Sequence, residues 1–217
     1  MRGRTRVNSR KPVYGVGIND ADYVTQPLGG IDRCPYFNVW HSMIRRCYSK
    51  NSHQRNKSYI GVHVSDEWKV FSNFKAWMER QHWEGLELDK DFIGDGSLYS
   101  SETCVFIPSY LNSAATRVST KRGKYPLGVV KKPRLRKKSF AAQGTDSNGK
   151  RVHLGVSETE LGAHQLWQSW KIENMTKVLE RYRLEEHFHP CVGKRLEGII
   201  DNLRQDLLNG VETTSLI

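Results

Sequence analysis

Leu88-Asp89-Lys90-Asp91-Phe92, then Gly94-Asp95-Gly96, then Tyr99-Ser100-Ser101-Glu102-Thr103-Cys104-Val105-Phe106-Ile107-Pro108, with Asn112 just beyond, is the stretch on which the reading of this 217-residue chain turns. Leu86, Leu88 and Phe92 around an interposed carboxylate predict a short strand, and Gly94-Asp95-Gly96 supplies the residues a tight reversal needs. Cys104 to Ile107 predicts a second apolar strand. Pro108 suits the first position of a helix, where its missing N–H costs nothing. Asn112 falls one helical turn later, on the same face. The unit is therefore strand, loop, strand, helix, with an acid at the end of its first strand and an amide oxygen on its helix.

Charge points to the partner. The formal net charge is +11, and the excess is clustered. No acid lies between Glu102 and Asp146, an interval that holds Arg117, Lys121, Arg122, Lys124, Lys131, Lys132, Arg134, Arg136, Lys137 and Lys138. A second basic run, Arg2 to Lys11, precedes the first acid at Asp20. A merely solvated surface explains scattered charge and not this clustering, so the expected partner is a polyanion. Cys34, Cys47, Cys104 and Cys191 include no Cys-x-x-Cys pair. A zinc site from Cys34, Cys47, Cys104 and His41 or His53 is conceivable, but buried free thiols in a reducing cytoplasm account for them more simply. No apolar run has membrane-spanning length, and no apolar segment follows the basic N-terminus, so a soluble, intracellular protein is expected.

Taken in order, residues 1–12 read as a basic flexible tail and 13–32 as a glycine-rich lead-in. Apolar positions 36, 39, 40, 43, 44 and 47 predict a helix whose aromatic stripe is core. Residues 51–58 read as a polar loop and Val62-His63-Val64 as a short strand. A helix is predicted from Glu67 to about Arg80, capped by Ser65 or Asp66, with Trp68, Phe71, Phe74, Trp77 and Met78 on its buried face. After Tyr125 the pattern changes. Residues 127–130, 139–143 and 150–155 predict three strands, the last two joined by a turn at Asp146–Gly149. A helix follows, capped by Ser157 or Thr159, with Ala163, Leu166, Trp167, Trp170 and Ile172 on its apolar side. Leu196 to Leu208 predicts a last helix that Gly210 can stop, used as core or, less simply, as a dimer seam. Residues 211–217 read as a loose tail.

The ordered motifs from residue 36 to 118 resemble the HNH endonucleases, also called ββα-metal or His-Me finger enzymes, and among them the free-standing homing type of phages. Asp89 and Asn112 match that family's strand-end acid and helix-borne last metal ligand, and Tyr99 to Cys104 is similar to its Tyr-Ser-Pro-Glu-Asn-Cys run. Lys90 stands where the family has its catalytic histidine. Thr103 stands where it has an asparagine that steadies the finger. Residues 125–174 are similar to the sheet-plus-helix DNA-binding domain of the APETALA/ethylene-response type: Leu127-Gly128-Val129 opens its first strand, Phe140-Ala141-Ala142 lies in the second and His153-Leu154-Gly155 closes the third.

The resemblance implies an α+β chain. Its parts are a 1–12 tail, a 13–120 ββα-metal finger nuclease domain with flanking helices, a 121–175 three-stranded antiparallel sheet plus helix, and a 176–217 C-terminal helical segment. The implied activity is metal-dependent, site-specific hydrolysis of double-stranded DNA in the cytoplasm of an infected bacterial cell, by a monomer or homodimer, without membrane involvement. Asp89 and Asn112 are the expected ligands of one divalent cation, Mg²⁺ with Mn²⁺ as a substitute, because a hard cation with few protein ligands keeps waters that a phosphate can displace. Asp91 is expected on the same strand face as Asp89, as an additional or supporting ligand. A lysine side chain, protonated near neutral pH, is a poor base; Lys90 can instead bind the scissile phosphate or protonate the leaving group. His82 is the favoured base, with His63 and Lys90 as alternatives. On the sheet, Arg134, Arg136, Lys138, Gln143, Arg151 and His153 are expected to face the major groove, and Lys131, Lys132, Lys137 and Lys150 the phosphates. The competing reading is a non-catalytic DNA-binding regulator on a degenerate scaffold.

Overall fold

The computed structural model describes residues 11–27, 33–115, 124–132, 139–146 and 149–216. Two compact units follow one another along the chain, Met1–Phe106 and Ile107–Ile217, and helix and strand are mixed in both. The boundary expected at residue 120 falls inside the second unit, so Asp89 belongs to the first and Asn112 to the second.

In the first unit, α1 (Pro35–Tyr48) buries Phe37, Trp40, Met43, Ile44 and Cys47, the helical spacing read from sequence. Trp40 is fully buried and donates its indole N–H to Trp68 O at 2.7 Å. Residues expected to form a loop instead make α2 (Lys50–Arg55) and a 3₁₀ turn, Lys57–Tyr59. Ser49 Oγ accepts from Ser52 N, and Asn56 Oδ1 from Ser58 N and Oγ, so short polar side chains that read as loop act as caps.

After β1 (His63–Val64), the single helix expected over 67–80 is two, α3 (Asp66–Lys69) and α4 (Phe71–Met78). Ser65 Oγ caps the first by accepting from Trp68 N. The lead-in segment causes the break. Ile18 N donates to Lys69 O, and Phe71 N donates to Ile18 O, which draws Val70 into an extended conformation. All five residues expected on the buried face are buried: Trp68, Phe71, Phe74, Trp77 and Met78.

Three short strands follow, β2 (Glu87–Asp89), β3 (Leu98–Tyr99) and β4 (Val105–Ile107). β2 and β4 are neighbours in one two-stranded sheet, while β3 pairs in parallel with β1, His63 opposite Leu98. The two strands expected on either side of the glycine loop are thus neighbours, as β2 and β4, and the chain between them adds β3, which the sequence reading did not include. Asp95 Oδ1 accepts from Ser97 N and Oγ, turning the chain toward β1.

The second unit opens with α5 (Ser109–Ala115), which begins one residue after Pro108; Pro108 O accepts from Leu111 N. Strands β5 (Val129–Lys131), β6 (Phe140–Thr145) and β7 (Arg151–Ser157) form an antiparallel sheet in that order. Asp146 Oδ1 accepts from Lys150 N at the expected turn. α6 (Glu160–Arg183) starts at a Thr159 cap and runs well past residue 174, and α7 (Pro190–Leu208) packs on it. Leu166, expected on the apolar side of α6, is exposed.

Two close approaches fix the sheet to α6. A Cβ at Gly128, whose φ is +73°, would lie 2.0 Å from Trp167 Cδ1, and one at Gly144 2.4 Å from Trp170 Cζ3. The segment after α7 is no loose tail: Thr213 and Leu216 are buried. Thr213 N donates to His164 Nε2, whose Nδ1–H then donates to Leu127 O, and Gln168 Nε2 donates to Val211 O and Thr213 Oγ1. Buried polar residues on α6 thus hold the chain end, a partnership that apolar periodicity does not register.

Replacing Gly128 by Ala combines left-handed strain with overpacking against Trp167 and should cost about 2–5 kcal/mol in urea unfolding. Gly149→Ala, at φ +78° with open space around it, should cost only the strain, about 1–2 kcal/mol. Equal losses would contradict this account of the sheet–helix contact.

Candidate active site and nucleic-acid face

Asp89 ends β2 and is only 6% exposed. Its Oδ1 accepts from Asp91 N at 2.7 Å and Phe92 N at 2.9 Å, so the carboxylate turns the chain out of the strand and is itself fixed in orientation. Burial pushes the carboxyl above its ordinary range; the two N–H donors pull it back, and the nearby Asp91 charge adds to the rise. Among the described residues Asp89 makes no salt bridge. A desolvated carboxylate of this kind is what a cation would complement.

Lys90 and Asp91 depart from the strand alternation read from sequence, because β2 stops at Asp89. Lys90 is 5% exposed, and its Nζ bonds both oxygens of Asp91, at 3.0 and 3.1 Å. The ammonium also lies 5.7 Å from the ring centroids of both Tyr59 and Tyr99, and the Arg46 guanidinium lies 5.7 and 5.5 Å from the same rings. Two cations thus share two aromatic faces in a cage under the strand end. Lys90 can reach a phosphate or a leaving group only if its pair with Asp91 opens.

Thr103 fastens the loop beside this cage. Its Oγ1 donates to Leu98 O, accepts from Ser100 N and meets Ser100 Oγ at 3.0 Å. Gly94 lies close against Thr103 and Lys90 O, where a Cβ would meet both at about 3 Å. The hydroxyl therefore ties the loop by hydrogen bonds of its own.

His82 is exposed just after α4, and His63 is exposed on β1. Among the described residues no hydrogen bond or ion pair joins either imidazole to Asp89 or Lys90. Asn112 is half-buried on α5, next to the buried Leu111. No group of three or more His, Cys, Asp or Glu among the described residues converges as a metal cage. Cys47 and Cys104 are buried thiols that burial pushes up to about 11 and about 12, Cys34 is half-buried and Cys191 exposed.

The sheet gathers several of the expected DNA-reading residues. Gln143 pairs with His153 and Thr145 with Arg151, and directly opposed residues share a face. Gly144 between them turns toward Trp170, and Gln143, Thr145 and Arg151 line a cavity together with Trp170 and Lys171. Lys131, Lys132 and Lys150 are exposed at the ends of the strands. Arg134, Arg136, Lys137 and Lys138 lie outside the described residues.

Sequence reasoning missed Arg46 and Tyr59, which join Lys90 and Tyr99 in one cluster only through tertiary folding. Lys171 was also missed, although it continues the buried 163–164–167–168–171–175 stripe of α6 and could have been found there. No family model, no curated protein and no solved structure matches the chain, so the functional reading rests on these residues themselves.

A carboxyl whose folded pKa is raised stabilises only below its unfolded value, 3.8, and loses that contribution as pH rises through the folded pKa. At pH 7 ionised Asp89 is therefore a cost. Asp89→Asn keeps an oxygen for the two N–H donors and removes the charge, so its thermal midpoint should exceed the parent's at pH 7, with the difference shrinking toward pH 3.5. A lower midpoint at pH 7 would mean that an unrecognised cationic partner stabilises Asp89.

Proposed function

We propose that the chain is a metal-dependent, site-specific DNA endonuclease of the HNH homing type, with its ββα-metal finger around Asp89 and its DNA-reading surface on the β5–β7 sheet. The observation that carries the reading is Asp89: a desolvated strand-end carboxylate, oriented by two backbone N–H groups and without a salt bridge among the described residues. Proteins seldom keep such a group for stability, and buried carboxylates without cations recur where a metal or a reaction needs them. The donor chemistry suits a hard divalent ion, which accepts one or two carboxylates and leaves its other positions to water and phosphate oxygens. Asp89 is its ligand in this reading, with Asp91 in support; Asn112, the second ligand the resemblance implies, belongs to the second unit. Bound there, Mg²⁺ or Mn²⁺ would supply charge stabilisation to the phosphate and the departing oxygen.

The protein's own groups supply the rest. His82 takes the proton of the attacking water, with His63 the alternative base; Lys90, released from Asp91, neutralises the phosphate. Gln143, Arg151 and His153 read base edges, Arg suiting guanine and Gln adenine. Lys131, Lys132 and Lys150, together with the basic segment 133–138, hold the backbone without specifying sequence. A DNA-binding regulator without cleavage is the second reading. It draws on the closure of Lys90 by Asp91 and the exposed positions of both histidines.

Asp89→Ala and Asn112→Ala should each abolish cleavage while DNA affinity in gel-shift titrations stays near the parental value; parental cutting by both variants would refute the finger assignment. His82→Ala should slow single-turnover cleavage about 10²–10⁴-fold. An unchanged rate would transfer the base role to His63 or Lys90. If the basic surface neutralises about six phosphates, affinity should fall with salt at a log–log slope of about −5, and a slope near zero would exclude backbone-led binding.

A further inference from the structure

The second unit holds a cavity of about 510 Å³ between α5, the sheet and α6, within the size range of small-ligand sites. Its lining includes Ser113, Gln143, Thr145, Arg151, Trp170 and Lys171, and among the described residues no acid. Lys171 is 7% exposed and makes no salt bridge among the described residues. Its Nζ donates to Ala114 O of α5 at 2.6 Å. That bond accounts for one N–H of the ammonium, and the group has three. A buried cation held by one neutral carbonyl at the wall of a cavity is incompletely compensated.

We propose that this cavity binds a small anion of the phosphate class, either inorganic phosphate or the phosphate of a nucleoside monophosphate, with Lys171 as its principal ligand. Ser113 and Thr145 offer hydroxyl donors, and Trp170 offers an apolar wall to an organic portion. Lys171 is buried in this wall, and a duplex backbone meets exposed cations, so a small anion is the ligand it suits. Burial draws the Lys171 amine down to about 8, and an anion beside it would favour the charged form. The site shares Gln143 and Arg151 with the base-reading surface of the nuclease reading but takes a different ligand, and a titration without DNA tests it apart from that reading.

The test is a titration of the ¹⁵N-labelled full chain, without DNA, with inorganic phosphate, with a nucleoside monophosphate and with the corresponding uncharged nucleoside. Saturable amide shifts at Ala114, Gly144, Thr145 and Lys171 with either phosphate probe, and none with the nucleoside, are expected. Tighter binding of the monophosphate would identify it as the source of the anion, and equal binding would identify phosphate alone. Lys171→Gln, which keeps a donor for Ala114 O, should weaken binding about 10–100-fold, and Lys171→Arg should restore much of it. Lys194→Gln, at an exposed position on α7, should change nothing. Shifts that fail to saturate, that spread over the surface lysines, or that persist in Lys171→Gln would overturn the proposal, as would binding of the nucleoside. The parental titration decides the matter even if the Lys171 variants do not fold.

Discussion

The desolvation of Asp89 is the constraint around which the first unit is arranged. A carboxylate at 6% exposure is tolerable only because Asp91 N and Phe92 N donate to it, and those bonds dictate how the chain leaves β2. The turn they create sends Lys90 inward to Asp91, Tyr59 and Tyr99 and starts the loop that Thr103 fastens to Leu98 and Ser100. Beneath it, Trp40, Trp68, Phe71 and Phe74 form a rigid aromatic core, which keeps short strands of two or three residues in register. Strand pairing this brief does not hold its shape unaided.

The second unit meets a different demand. Its sheet is thin, and it is joined to α6 by setting Trp167 and Trp170 against glycines, which commits that contact to packing. The pairing of β6 with β7 sets Gln143 opposite His153 and Thr145 opposite Arg151. α6 also carries His164, Gln168 and Lys171 into the interior, where the first two hold residues 211–213 and the third meets α5. The neutral His164, whose pKa burial lowers, fits its place between Leu127 O and Thr213 N only without a second proton.

Periodicity made the helical cores legible in the sequence. The stripes of α1 and of Trp68 to Met78 are buried as read, because apolar spacing reports directly on which face meets the interior. The three-strand order of the second unit was legible from its turn and from β-branched and aromatic runs. Three things were not. The break at Val70 depends on Ile18, more than fifty positions earlier. The course of the glycine loop depends on β1. The enclosure of Lys90 depends on Tyr99 and on Tyr59, a residue far off in sequence with nothing local to mark it. Each is a long-range partnership, which single-sequence patterns do not encode. The tail after α7 escaped for a related reason, since His164 and Gln168 read as polar interruptions of an apolar stripe.

Whether the buried acid serves hydrolysis is tested most directly by incubating the full chain with plasmid and candidate genomic DNA, with Mg²⁺ or with chelator, and mapping every new end to the nucleotide. The account predicts ends at one preferred site, formed with the metal and absent with the chelator. DNA binding without any new ends in Mg²⁺ or Mn²⁺ would contradict it and would make the chain a DNA-binding protein built around an unused carboxylate.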